Sequence, residues 1–305
     1  MIYLGTNMFN GSLSRICSNV TEFGLSNKSF SVGIFPFLCH QLDTPNSLEI
    51  LHLGENILSD SIADCWMNWP SLGVIKLVNN NLTGEIPTSM GSLQSLESLH
   101  MSNNSVSGGI PPSFQYCTKL VTLDLGLNKF IGSIPTWIGS SLSNLKILHQ
   151  LTVLQGLLSL NLSGNHFNGN VPNNIGNIAW IESLDLSRNQ LSGKIPESIS
   201  RLTFLHYLNL SYNNLSGKIP LSIQLQSLDP SSFIGNELCG SPISKDCKVD
   251  KTTPITENEV HTENEDEWFH LGIATGFAIG FLGVITTLLF CKPWRNAYYW
   301  FLEYL

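Results

Sequence analysis

An asparagine recurs every 24 residues along much of this chain, each time inside the same sequence phrase. The asparagines form two evenly spaced runs: Asn56, Asn80, Asn104 and Asn128, then Asn165, Asn189 and Asn213. The phrase is L-x-x-L-x-L-x-x-N-x-L-x-G-x-I-P, as in residues 181–196. A fixed period of this length is typical of a solenoid, in which repeats stack because none can bury its apolar face alone. We therefore predict a repeat solenoid, a fold that presents extended binding surfaces.

Each position of the phrase has a predicted structural role. Leucines such as Leu123 and Leu125 alternate with polar residues, which indicates a strand buried on one face. Successive strands would form a parallel sheet, and the asparagine would lie where the chain turns after the strand. Because buried turns leave backbone groups without water, a stacked column of asparagine amides could satisfy them. Gly193 and Pro196 fit a bend and a position that needs no amide donor.

The period has irregularities. Two repeats precede the regular set, around Asn7 and around Lys28, where a lysine replaces the asparagine. From Asn128 to Asn165 the interval is 37 residues, and we interpret the leucine-rich residues 145–156 as an irregular bridge or vestigial repeat. The chain starts inside a repeat, so we expect the array to be N-terminally incomplete and a longer upstream reading frame to supply a secretory leader.

Composition limits the classes of partner. Charged residues make up 12% of the chain, and the formal net charge is −8. Six acidic residues and no Lys or Arg lie between Glu257 and Glu267, so the repeats themselves are nearly neutral. A nucleic-acid partner is not expected, because such proteins carry a basic surface.

Residues 271–290 form an uncharged run of 20 residues, LGIATGFAIGFLGVITTLLF. At about 1.5 Å per residue, a helix of this length would cross a bilayer, whereas a buried core helix is the alternative. Lys292 and Arg295 follow the run, and the preceding flank is acidic. The positive-inside rule then predicts a single-pass plasma-membrane protein with extracellular repeats and a cytoplasmic tail.

The predicted segments are the following. Repeats occupy residues 1–144 and 157–226, with the bridge 145–156 between them, and a C-terminal cysteine cap occupies 227–248. An acidic juxtamembrane stalk (249–270), the transmembrane helix (271–290) and a short cytoplasmic tail (291–305) follow.

Cysteines and glycosylation sequons agree with an extracellular location. Cys239 and Cys247 follow the last regular repeat, where a disulfide would close the end of the solenoid. Pairing of Cys39 with Cys65 is also possible and stays open. Eight N-x-S/T sequons are candidate glycosylation sites: Asn10, Asn19, Asn27, Asn81, Asn103, Asn161, Asn209 and Asn214.

Several segments in order resemble the plant receptor-like proteins. The resemblance rests on five features: L-x-G-x-I-P repeats over roughly residues 1–220, LHYLNLSYNN at 205–214, NELCG at 236–240, the acidic stretch ending DEWF, and a predicted membrane span with regularly spaced glycines. The chain is most similar to the defence-associated scab-resistance and xylanase-receptor types. The resemblance implies a plant-type leucine-rich-repeat solenoid, an α/β parallel-sheet horseshoe followed by a single transmembrane helix.

The resemblance also implies a function. Members are kinase-lacking cell-surface receptors of defence or development, which bind an extracellular ligand on the solenoid and signal through partner receptor kinases. It implies neither enzymatic activity nor a cofactor. In the family an irregular island that contributes to ligand binding interrupts the array, whereas this chain has the short bridge 145–156. The glycines Gly272, Gly276 and Gly280, spaced for helix packing, and the acidic stalk are the expected contacts with an adaptor kinase.

The candidate ligand-binding residues lie between the two strand leucines of each repeat, on the predicted concave face: His52, Lys76, His100, Asp124, Asn161, Asp185 and Asn209. Because neighbouring strands lie about 4.8 Å apart, they would form one polar row, which is either a ligand strip or a merely solvated face. His100, Asp124 and Ser102 resemble a hydrolytic set only in composition.

Two alternatives remain from the sequence. One is a secreted binder of microbial cell-wall enzymes, similar to polygalacturonase inhibitors. The other is a truncated decoy that does not signal.

Overall fold

The computed structural model describes residues 1–3, 19–25, 34–39, 47–142 and 156–247. The chain divides into two compact units, Met1–Lys248 and Val249–Leu305, and every described residue belongs to the first. The predicted stalk, membrane span and tail, with Gly272, Gly276 and Gly280, therefore lie outside the described residues. No helix within the described ranges is both long and apolar enough to cross a membrane.

Short strands alternate with single helical turns along the described chain. The strands are β1 Ile2–Tyr3, β2 Glu22–Gly24, β3 Ile50–His52, β4 Val74–Lys76, β5 Ser98–His100, β6 Ser107–Gly108, β7 Thr122–Asp124, β8 Lys129–Ser133, β9 Ser159–Asn161, β10 His166–Asn170, β11 Ser183–Asp185, β12 Gln190–Gly193, β13 Tyr207–Asn209, β14 Asn214–Lys218 and β15 Glu237–Cys239. The α-helices are α1 Ile34–Cys39, α2 Ile138–Ser141 and α3 Ile223–Ser227. The 3-10 helices are Trp66–Asn68, Thr88–Ser92, Pro112–Tyr116, Ile175–Asn177, Glu197–Arg201 and Pro230–Phe233.

The principal sheet has nine parallel strands in the order β1-β2-β3-β4-β5-β7-β9-β11-β13. Its inward leucines are fully buried, including Leu123, Leu160 and Leu184. The predicted parallel-sheet solenoid is thus confirmed. Its core is the continuous apolar layer that these leucines form with residues of the helical turns.

The asparagine ladder connects each repeat with its neighbour. Asn80 donates through Nδ2 to the carbonyls of Leu53, Leu77 and Val78 at 2.9–3.2 Å, and its Oδ1 accepts from the backbone N–H of Leu58 at 3.0 Å. One amide therefore satisfies its own turn and two backbone groups of the preceding repeat, which confirms the predicted column. Glycosylation would break it, and no sequon uses a ladder position.

The ladder and the sheet cross the 37-residue interval without a break. Asp124 of β7 aligns directly with Asn161 of β9. Asn165 donates to the carbonyl of Leu125 at 3.0 Å and accepts from the N–H of Phe130 at 3.0 Å. β7 and β9 therefore pair directly, and the interval does not shift the register between them. Most of the predicted bridge 145–156 lies outside the described residues.

A second parallel sheet of six strands runs in the order β15-β14-β12-β10-β8-β6, and the sequence analysis did not predict it. It forms from the residues between each ladder asparagine and the region of the glycine of L-x-G, and its strands end within one residue of that glycine. Gly193 has a φ of +75°, a conformation that glycine adopts without strain.

Two disulfides join described cysteines. The predicted Cys239–Cys247 bond is present, and the open question of Cys39 is settled by its bond to Cys65. Asn236 continues the ladder by accepting from the N–H of Leu215 at 2.9 Å. The predicted cap 227–248 is therefore a further turn of the solenoid, closed by a disulfide. Cys117 is buried and unpaired.

Candidate functional site: the outer face of the principal sheet

The seven predicted site residues lie side by side in one row on the outer face of the principal sheet. Each is half-buried, and strand pairing puts them in register in the order His52, Lys76, His100, Asp124, Asn161, Asp185 and Asn209. We call this set the polar row. Their common position follows from the repeat, because each occupies the same site between two buried apolar residues, in most repeats leucines.

Asp124 is at the centre of a hydrogen-bond network. Its carboxylate accepts from Ser102 Oγ at 2.6 Å, from Asn161 Nδ2 at 2.9 Å and from the backbone N–H of Gly126 at 3.3 Å. Burial alone would raise the pKa of Asp124, but the nearby His100 ring and the bonds from Ser102 and Gly126 outweigh it, so the pKa is lowered. The carboxylate is therefore held in its charged form.

His100 contacts a different serine from the one considered in the sequence analysis. Ser98 Oγ lies 2.9 Å from Nε2 of His100, whereas Ser102 donates to Asp124. Nδ1 of His100 is 3.9 Å from Asp124 Oδ2, too far for a direct hydrogen bond. The set of Ser102, His100 and Asp124 is thus not assembled for hydrolysis, because the Ser102 hydroxyl faces the carboxylate instead of the imidazole.

The C-terminal end of the row carries aromatic side chains. Tyr207 donates to Asp185 Oδ2 at 3.1 Å, and Arg188 lies 4.9 Å from the centroid of the Tyr212 ring, a cation–π contact. Both tyrosines are exposed. Burial and the Asp185 carboxylate raise the pKa of Tyr207, so this hydroxyl remains a donor at neutral pH.

Sequence reasoning missed these tyrosines because it considered only the position between the leucines. Tyr207 precedes Leu208 and Tyr212 follows Leu210 by two residues, so both flank the same strand. A search of every outward position for large aromatic residues would have found them, since such residues are enriched in binding interfaces.

The N-terminal end of the row is built differently. Tyr3 donates to Glu22 at 3.0 Å, and its ring meets that of His52 edge-on, with 6.0 Å between centroids. Burial and the charge of Lys76 lower the pKa of His52. Both effects favour the neutral form of the His52 imidazole.

The described sequons differ in the surroundings of their side chains. Asn19, Asn81, Asn103 and Asn214 are exposed. Asn161 and Asn209 belong to the polar row, and the Oδ1 atom of each accepts two hydrogen bonds from the serine two residues later. Asn10 and Asn27 lie outside the described residues.

The family model for the leucine-rich repeat matches five segments: 95–117, 119–141, 156–178, 180–202 and 204–229. Two solved structures share the fold. A plant ice-binding protein aligns with a TM-score of 0.62 and 28% identity, over 76% of this chain and 69% of that one. The Arabidopsis receptor kinase HAESA, in complex with the peptide hormone IDA and the co-receptor SERK1, aligns with a TM-score of 0.53 and 31% identity, over 77% and 41%.

Curated relatives match a shorter part of the chain. Receptor-like protein EIX2 of Solanum lycopersicum is 35% identical over 89 residues, which are 26% of this chain and 8% of that protein. Receptor-like protein 9b of Arabidopsis thaliana is 30% identical over 86 residues, 26% and 9% of the two chains. The matched part is thus less than a tenth of either relative. Over these segments the chain is similar to the plant leucine-rich-repeat receptor-like proteins.

Proposed function

We propose that the chain is a kinase-lacking cell-surface receptor-like protein that binds an extracellular peptide or protein on the outer face of the principal sheet. The polar row is the observation that carries this proposal. Seven residues separated by six strand steps of about 4.8 Å give a row of about 29 Å, the length of an extended peptide of about nine residues. The exposed Tyr207 and Tyr212 at its end add anchors of the type enriched in interfaces.

The comparison with HAESA supports a peptide ligand and a co-receptor, since that receptor was solved with both. The ice-binding protein supports only the fold, because one fold serves many functions. The two disulfides are consistent with an oxidising, extracellular location.

We further propose that residues 271–290 anchor the chain in the plasma membrane as a single-pass helix, with the repeats outside and the C-terminus in the cytoplasm. The signal leaves through a partner receptor kinase, which packs on the face of Gly272, Gly276 and Gly280 and meets the acidic stalk. Small residues spaced by four permit the close helix approach that such pairing needs.

Surface labelling of the full chain, expressed in plant cells with a C-terminal tag, tests the location. Labelling of the chain by a membrane-impermeant biotin reagent, with a C-terminal tag that is not accessible from outside the cell, supports the proposed receptor topology. Protein recovered only from the extracellular medium would favour the secreted inhibitor-like binder, and protein absent from the surface would favour a truncated decoy.

Co-purification tests the partner. Gly276→Leu with Gly280→Leu should reduce recovery of a co-expressed adaptor receptor kinase severalfold at equal surface expression. Ala278→Leu is the control, because it also introduces a leucine but on the opposite face of the predicted helix. Equal recovery with the double variant and the control would refute the proposed helix pairing.

A further inference from the structure

Lys76 differs from the rest of the polar row in having an unengaged charge. Asp124, Asn161, Asp185 and Asn209 are all hydrogen-bonded to neighbouring side chains. Within the part of the chain that the structure describes, no hydrogen bond or ion pair engages the ammonium group of Lys76. A half-buried cation without a partner is available to a ligand. The residues at the C-terminal end of the polar row already make hydrogen bonds to neighbouring side chains, so they have fewer free polar groups for a ligand.

The two acidic residues that share this face of the sheet in β2 and β7 already accept hydrogen bonds. Glu22, two strands away, accepts the hydroxyl of Tyr3, and Asp124, also two strands away, accepts bonds from Ser102 and Asn161. A negative group that approaches Lys76 from solvent therefore competes with none of these bonds.

Histidines flank Lys76 on both adjacent strands. His52 of β3 and His100 of β5 are its register partners, so the backbone of each is about one strand spacing, about 4.8 Å, from that of Lys76. An imidazole carries at least one N–H, so the three residues together form a patch of hydrogen-bond donors that includes the Lys76 ammonium group. We call it the Lys76 patch.

Apolar side chains flank Lys76 along its own strand and on β3. Val74 and Val78 lie on the same outer face of the sheet as Lys76, and Ile50 is the register partner of Val74; all three are half-buried. An apolar rim lowers the local dielectric and strengthens a charge-assisted hydrogen bond. It also favours a ligand that places an apolar residue next to its charged one.

We propose that the Lys76 patch binds a side-chain carboxylate of an acidic, extended peptide. This inference rests on the proposed function, since it specifies the ligand of the same face. Lys76 supplies the ion pair, and His52 and His100 donate to the carboxylate oxygens or to the peptide backbone. The valines contact the neighbouring apolar residue.

Two synthetic peptides of defined sequence test the proposal: acetyl-(Val-Asp)3-amide and its twin with Asn in place of Asp, each carrying the same fluorophore. In an extended peptide all three acidic residues face the same side. The full-length protein in detergent is titrated and fluorescence polarisation gives Kd. We expect the Asp peptide to bind about fivefold more tightly than the Asn peptide, as a charge-assisted bond at a half-buried site requires.

Lys76→Met retains the apolar stem and should remove that preference, whereas Lys76→Arg should keep it. Lys129→Met is the matched control: it removes one exposed lysine from β8 of the second sheet and should leave both Kd values within twofold. Circular dichroism of each variant confirms the fold.

Equal loss of binding in Lys76→Met and Lys129→Met would overturn the proposal, because net charge and not the Lys76 patch would then explain it. Equal affinity for the Asp and Asn peptides would also overturn it, while leaving peptide binding by this face intact. If neither peptide binds, the proposal is also overturned. The proposed receptor role is then judged separately, by the surface-labelling and co-purification results.

Discussion

Replacing the ladder residue Asn128 by alanine should destabilise the solenoid by about 3 kcal/mol. Asn128 is 7% exposed; its Nδ2 donates to the carbonyls of Met101, Leu125 and Gly126, and its Oδ1 accepts from the N–H of Val106. The three carbonyls keep a second hydrogen bond, from Asn104, Asn165 and the N–H of Asn103. The N–H of Val106 loses its only partner. One orphaned buried donor costs about 2 kcal/mol, and loss of the other bonds adds about 1 kcal/mol.

Urea unfolding followed by tryptophan fluorescence measures this effect. With a slope of about 3 kcal/mol per molar urea, the midpoint should fall by about 1 M. Asn168→Ala is the control, since Asn168 is exposed in β10 and outside the ladder, and it should change the free energy of unfolding by less than about 0.5 kcal/mol. Similar midpoints for the two variants would refute the reasoning that the ladder holds the repeats together.

Three other outcomes are expected. Gly176→Ala should cost more than about 2 kcal/mol of unfolding free energy, because its Cβ would collide with the backbone of the next repeat. Gly109→Ala, whose Cβ would make only an ordinary contact of 3.9 Å with the carbonyl oxygen of Ile131, should be nearly neutral by the same urea assay. The lowered pKa of Asp124 implies stability that is present above the ordinary pKa of an Asp and is lost as pH falls through the folded value; thermal unfolding from pH 6 to pH 2.5 should show a smaller acid loss in Asp124→Asn. Mass spectrometry after glycosidase treatment should find glycan on exposed Asn81 and none on Asn161, whose amide donates to Asp124 at 2.9 Å; full occupancy at Asn161 would contradict the network.

The repeat period predicted the principal sheet, the ladder and the polar row because it fixes the register. Once Leu99 and Leu123 are assigned to the same position in successive repeats, His100 and Asp124 must be neighbours, and they are. The same logic located the Cys239–Cys247 closure just after the last regular repeat.

Other features depended on contacts that a period does not contain. The second sheet forms between segments whose sequence predicts turns. These segments are strands only because they pair with the same segment of the neighbouring repeats, as β12 pairs with β10 and β14. The long interval after Asn128 predicted an irregular bridge or vestigial repeat at 145–156, nearly all of which lies outside the described residues. The strands on either side, β7 and β9, pair directly because their flanking phrases are intact. Hydrogen bonding also separates Ser98 from Ser102, which the repeat phrase alone does not distinguish.

The claim that the outer face of the principal sheet binds an extracellular ligand is tested most directly by site-specific photo-crosslinking on intact plant cells. Benzoylphenylalanine replaces Tyr207 on this face or Ile131 on the second sheet, which are 48% and 54% exposed and so equally accessible. After incubation with extracellular fluid from infected tissue and irradiation, the account predicts a defined covalent adduct from position 207 and none from position 131. Adducts of equal yield from both positions, or from position 131 alone, would contradict it.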